Sequence, residues 1–224
     1  MRPHWAAGVT LRPPTTPITV LAPDPATTVV WRMTPQGESD VLIAGPRTKA
    51  SYHPTKDLPV CVRLRIRPGL VLRGAPADEL VDRVVPLEDL IGPNDLADRL
   101  TTFRDHPEAA ATLLGKYLVP IRQDLVAKAA HELTGARTVS QTATKLGVSE
   151  RYLRRVFHRT VGVSPKHFAR ISRVRSVINT SNPWSEAAAK AGYTDQSHLI
   201  ADFRDLMRVT PTAFAKSKVP LTTC

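Results

Sequence analysis

Only two cysteines, Cys61 and Cys224, occur among the 224 residues. They cannot build a four-cysteine zinc centre or a disulfide framework, so Cys61 is expected to be an ordinary packing residue. Aromatic residues make up 5% of the chain, too few for the stacking platform that binds single-stranded nucleic acid. No run approaches the roughly 18 apolar residues of a membrane span. The opening segment MRPHWAAGVTLRPPTTP has no apolar stretch of the secretory kind, so a cytoplasmic protein that avoids membranes is expected. The motifs GxSxG, GxxxxGK[ST] and GxGxxG are missing. The seven histidines never fall at His-x-His or His-x-x-x-His spacing, and His131–Glu132 lacks the second histidine of a zinc protease. No catalytic residue, metal or cofactor is expected.

What the chain has is positive charge, unevenly placed. Lysine and arginine number 31 against 20 acids, a net charge of +11. Residues 1–104 are nearly balanced, with 13 basic and 11 acidic side chains, whereas residues 105–224 carry 18 and 9. Arg151, Arg154, Arg155, Arg159, Lys166, Arg170, Arg173 and Arg175 follow one another with no acid between them. Such a run is the footprint of a polyanion-binding half, and all eight are expected to contact or approach phosphates.

The first half reads as β structure. Prolines crowd residues 1–27, which suggests extended coil. Short β-rich runs follow at Thr27–Met33, Asp40–Ala44, Lys49–His53 and Val60–Arg67. In the last run Val60, Val62, Leu64 and Ile66 alternate with Cys61, Arg63, Arg65 and Arg67, the period of a half-buried strand. The apolar set claims the core, so the three arginines should point outwards, to solvent or to another subunit rather than to an anionic effector. After Gly92 the pattern turns helical. Leu96, Leu100 and Phe103 share a face, and Pro107 can open a helix. The compositional shift divides the chain into a β-rich domain, 1–104, and a helical domain, 105–224.

The helical half repeats itself. Residues 139–147 (VSQTATKLG) align with 184–192 (WSEAAAKAG) at an offset of 45. After one inserted residue the offset is 46: Ser149 faces Asp195, Leu153 Leu199, Phe157 Phe203, Ser164–Pro165 Thr210–Pro211, and Phe168 Phe214. A match of this length marks a duplicated helical unit. Thr138 and Gln141 form a capping-box pattern, Gly147 permits a C-terminal cap, and Ser149 caps a second helix whose buried face is Leu153, Val156 and Phe157. Helix, glycine turn, helix is a helix-turn-helix, expected at about 138–161 and again at about 184–207. The second helix of the first unit presents Arg151, Arg154, Arg155 and Arg159 opposite its buried face, as a major-groove reader must.

The segments LGVSERYLRRVFHRTVGVSP and AGYTDQSHLIADFRDLMRVTPTAF resemble the arabinose-operon-activator (AraC/XylS) family of bacterial transcription regulators, over about residues 119–217. The resemblance implies seven helices, with two helix-turn-helix units joined by a long central helix from Ser164–Pro165 to about Asn179. In that helix Phe168, Ile171, Arg175 and Ile178 should lie near one face. About 15 residues at a 1.5 Å rise span roughly 22 Å. The N-terminal half, in RIRPGLVLRGAPADELVDRVVPLEDLIG, resembles the short β-rich sensor region of many such regulators. The fold class implied is α+β, a small β-rich domain followed by the all-α domain.

Carried over residue by residue, the resemblance makes Arg151, Arg154 and Arg155 the base readers of the first unit, with Arg159 beside them. Gln196, Ser197, Ile200 and Ala201 take those places in the second, where Arg204 and Arg208 can anchor the backbone. Ala201 stands where the family often has arginine, and Asp195, Asp202 and Asp205 share that helix, so the second unit should read DNA more weakly. The function implied is sequence-specific regulation of transcription on double-stranded DNA, with RNA polymerase as a further partner and room for a small-molecule effector at the N-terminal domain and for a homodimer. Two alternatives use the same helices: a non-specific architectural DNA binder and a protein-interaction module.

Overall fold

The computed structural model describes residues 5–10, 18–33, 39–54, 60–92, 96–103, 106–135, 137–178, 184–217 and Leu221. The first half contains strands β1 (Trp5–Thr10), β2 (Ile18–Leu21), β3 (Thr28–Met33), β4 (Ser39–Ala44), β5 (Ser51–Pro54), β6 (Val60–Ile66) and β7 (Leu70–Leu72). A 3₁₀ turn (Ala77–Leu80), strand β8 (Val84–Pro86) and helices α1 (Leu87–Ile91), α2 (Leu96–Thr102) and α3 (Pro107–Gly115) follow. Five strands form an antiparallel sheet in the order β1-β6-β3-β4-β8, while β2 pairs with β5 separately.

The alternation in β6 sorts as its period requires. Val62, Leu64 and Ile66 are buried together with Val29 and Trp31 of β3, and Leu87, Leu96, Leu100 and Leu114 of α1–α3 close the same core. Two expectations need correction. The proline-rich start is not all coil, because Trp5–Thr10 pairs residue by residue with Thr10↔Cys61 through Trp5↔Ile66, and Ile18–Leu21 pairs with β5. These partners are distant in sequence, so local composition does not announce them. Cys61 is buried, as expected of a packing residue, but it is also disulfide-bonded.

The first core also runs past residue 105. Ala110, Ala111, Leu113 and Leu114 of α3 belong to it, and strand β9 (Leu118–Pro120) pairs with β7. Helices α4 (Gln123–Thr134), α5 (Val139–Lys145), α6 (Glu150–Val161), α7 (Pro165–Ile178), α8 (Trp184–Lys190), α9 (Gln196–Met207) and α10 (Pro211–Ser217) complete the chain. They make two cores, α4–α6 with Phe168 in one, and α8 and α9 with Ile171, Val174 and Val177 in the other. The buried face of α7 is therefore Phe168, Ile171, Val174 and Val177, while Arg175 and Ile178, expected on it, are only half-buried. Among the described residues no helix is long and apolar enough to cross a membrane.

The halves are packed together. Val20 of β2 and Ala50, both buried, belong to the second helical core; Ala50 N–H donates to the Leu206 carbonyl at 2.7 Å and Tyr52 Oη to that of Met207 at 2.8 Å. Gly162, which caps α6 at φ +83°, sits so close to the 3₁₀ turn that a β-carbon would lie 2.6 Å from the Ala77 carbonyl oxygen and 2.8 Å from Pro46 Cγ. Gly147 also has positive φ, +66°, but nothing stands within 4 Å of its β-carbon position. Gly147→Ala should therefore cost about 1–2 kcal/mol for left-handed backbone alone, and Gly162→Ala about 2 kcal/mol more because two backbones must separate. Urea unfolding of the two variants checks this; equal losses would mean that the halves do not press on Gly162.

Candidate nucleic-acid interface

The turn and the helix caps that follow it are present in both units, and the first unit adds a capping box. Thr138 and Gln141 form a reciprocal capping box on α5. The α5–α6 turn closes through Leu146 N–H to Thr142 O, Gly147 N–H to Thr144 O and Val148 N–H to Ala143 O. The α8–α9 turn uses the equivalent bonds, Ala191 to Ala187, Gly192 to Ala189 and Tyr193 to Ala188. Gly147 and Gly192 have φ of 66° and 75°, which a glycine adopts without strain. Ser149 caps α6 by accepting from Tyr152 N–H, and Asp195 caps α9 by accepting from His198 N–H. Beyond each second helix, Ser164 and Thr210 accept from His167 and Ala213 N–H. Phe157 meets Phe168 edge-on at 5.2 Å, and Phe203 meets Phe214 at 5.7 Å.

Leu153, Phe157, Thr160 and Val161 bury one face of α6. Arg151, Arg154, Arg155 and Arg159 all stand exposed. Arg154 pairs with Glu150 one turn back, and the Arg155 guanidinium lies 5.5 Å from the Tyr152 ring centroid. Among the described residues Arg151, Arg155 and Arg159 have no acid partner, so their charge is open to a polyanion. The eight-residue basic run, however, does not act as one surface. Arg170 and Arg173 of α7 turn inward to Asp202, at 2.8 and 3.3 Å, and Arg175 donates to the Pro23 carbonyl at 2.9 Å. Helical period separates them: α6 points its arginines out, α7 points three of its own into the molecule.

In the second unit Gln196, Ser197 and Arg204 are exposed on α9, as is Ala201, with Ile200 half-buried. The acids at this helix are each engaged within the molecule. Asp202 is buried between Arg170 and Arg173, Asp205 bonds Lys49 at 2.9 Å and Arg170 at 2.7 Å, and Asp195 is consumed as the cap. The bonds from Lys49 and Arg170 hold the Asp205 carboxyl below its ordinary pKa. Its stabilising contribution is thus complete above the usual carboxylate range and is lost as pH falls through the lowered value. The role of Asp202 was missed in the sequence although a signal existed. It shares a face with Leu199, Phe203 and Leu206, at helical spacing, where an acid must find a buried partner. Asp202→Asn should cost about 2–4 kcal/mol by leaving two inward guanidiniums short of an anion, whereas Asp205→Asn, at a more exposed pair, should cost about 1 kcal/mol or less. Urea unfolding of both variants tests the order.

The helix-turn-helix domain family matches residues 142–217. Over those residues, about a third of the chain, it is similar to that helix-turn-helix domain. Among solved structures, ToxT from Vibrio cholerae O395 bound to (E)-4-(8-methylnaphthalen-1-yl)but-3-enoic acid is 11% identical, with 94% of this chain and 98% of that one covered at a TM-score of 0.50. It shares the arrangement of a β-rich region followed by a helical one. The C-terminal domain of AraT, a response regulator from Geobacillus stearothermophilus, is 23% identical over 45% of this chain and 90% of its own, with a TM-score of 0.40. A probable AraC family transcriptional regulator from Rhodopseudomonas palustris CGA009 is 22% identical over 43% and 99%, with a TM-score of 0.36. No curated protein matches the chain at a significant level.

Proposed function

We propose that the chain is a sequence-specific transcriptional regulator that binds duplex DNA in successive major-groove segments through α6 and α9. The observation that carries this reading is the exposed, largely unneutralised row Arg151, Arg154, Arg155 and Arg159 on the second helix of a domain of this class. An arginine fork can bond guanine O6 and N7 together, which a merely basic surface does not require. Gln196 and Ser197 give α9 a weaker set, and Arg204 with Arg208 suits phosphate contacts. Because Asp202 is buried and Asp205 is paired with Lys49 and Arg170, the inequality of the two helices rests on Ile200 and Ala201 more than on these acids. In this reading the chain acts in the cytoplasm, meets RNA polymerase at promoters, and is modulated through its β-rich half by an effector or by pairing of two copies. The units of that arrangement would divide at about residues 120–122, where β9 ends and α4 begins.

Selection of binding sites from random DNA, followed by anisotropy titration over salt, tests the proposal. Affinity should fall with a log–log slope of about −0.9 per phosphate contacted. Arg155→Ala should cost about 1–3 kcal/mol at the selected site and erase preference at one or two base pairs, while Gln196→Ala changes little. A motif without information, binding indifferent to salt, or a greater loss of specificity from Gln196→Ala than from Arg155→Ala would overturn the assignment. The first of these outcomes would instead mark an architectural binder.

A further inference from the structure

Arg63 and Arg65 of β6 are half-buried on the side of the sheet that Arg175 of α7 approaches, while Arg67, just beyond the strand, is exposed. Arg65 bonds Asp24 at 2.7 Å, Arg175 of α7 lies 3.4 Å from the same carboxylate, and Arg47 and Arg63 stand in its field. Four guanidiniums thus share one carboxylate, itself buried. Arg47 donates to the Ala22 carbonyl at 3.0 Å, but the buried Nε atoms of Arg63 and Arg65 have no acceptor among the described residues. Burial pushes the Arg63 guanidinium down to about 10, against the pull of Asp24 and with the push of its three basic neighbours. Concentrating positive charge away from water costs free energy unless an anion shares the site.

Beside this cluster is a cavity of about 360 Å³ between the halves. Arg65, Arg67 and Arg175 are among its lining residues, and Ile66, Val161 and Phe168 give it apolar walls. Its size and mixed lining are those of a small-molecule site. We propose that this cavity binds a small organic anion, with a carboxylate or phosphate group against Arg65, Arg67 and Arg175 and an apolar body against Ile66, Val161 and Phe168. Val161 ends α6 and Phe168 lies on α7, so an occupant touches the reading helix, the central helix and the sheet at once. As an effector site it rests on the regulatory reading above; as a binding site it does not, and binding is read without DNA.

The probe is 1-anilinonaphthalene-8-sulfonate, an apolar body with one anionic group, followed by its fluorescence on the full chain. N-phenyl-1-naphthylamine, the same body without the charge, is the control. The sulfonate should bind saturably at one site per chain. Arg67→Ala should weaken it about tenfold, the worth of one charged contact, and leave the control unchanged. Arg67 is exposed, so its removal should leave the melting temperature intact. Ser172→Trp, which fills the cavity, should abolish sulfonate binding, and Ala26→Leu serves the same end if the tryptophan disturbs folding. Displacement by 4-phenylbutyrate or by 4-phenylbutyl phosphate supports the site and names its head group. No binding, binding that survives both filling variants, indifference to Arg67→Ala, or equal displacement by 4-phenylbutanol overturns it.

Discussion

Phe168, Ile171, Val174 and Val177 lie along one side of α7, yet they close two different cores. The first helices of the two units, α5 and α8, have seven residues each, too short to persist in water without tertiary packing. Each unit therefore needs α7 to complete it. A helix of 14 residues extends about 21 Å and does not bend without a break in its hydrogen bonds. The two second helices are consequently fixed relative to each other by the same contacts that let each of them exist. The sheet half adds to this constraint, since Val20 and Ala50 complete the second core and the 3₁₀ turn presses on Gly162 at the end of α6.

Charge follows the same division. Arg170, Arg173 and Arg175 of α7 are links within the molecule, tied to Asp202, Asp205, Asp24 and the Pro23 carbonyl. What is left outside is the row on α6 together with Arg204 and Arg208 on and beyond α9. A strongly basic composition thus resolves into two populations with different work. Net charge alone could not separate them, because both are arginines in one unbroken run.

The repeat was legible in the sequence because its geometry is written in residues with few substitutes. Gly147 and Gly192 supply positive φ, Ser149 and Asp195 supply caps, and Phe157 and Phe203 hold their places at a constant offset. Strand β6 was legible for a similar reason, as alternation survives any partner, and β3 and β4 were legible as β-rich runs between turn residues. Strands β1 and β2 were not, since their pairing with β6 and β5 depends on residues far along the chain. Nor did composition reveal that α3 packs in the core of the first half, because an amphipathic helix does not say which core it covers. The period of β6 placed Arg63, Arg65 and Arg67 on the side opposite Leu64 but could not say that α7 would stand there. Residues 104–105, at the expected boundary between the two domains, lie outside the described residues.

The central claim is that α7 holds two helix-turn-helix units in one fixed relation, so that they meet DNA together. Hydroxyl-radical footprinting of the full chain on a selected duplex measures that relation at base-pair spacing. Two protected segments should appear on one face of the DNA, with centres about one helical turn, 10–10.5 base pairs, apart, and the stronger protection should lie under α6. A single protected segment, or two whose separation varies from one bound site to another, would contradict the account.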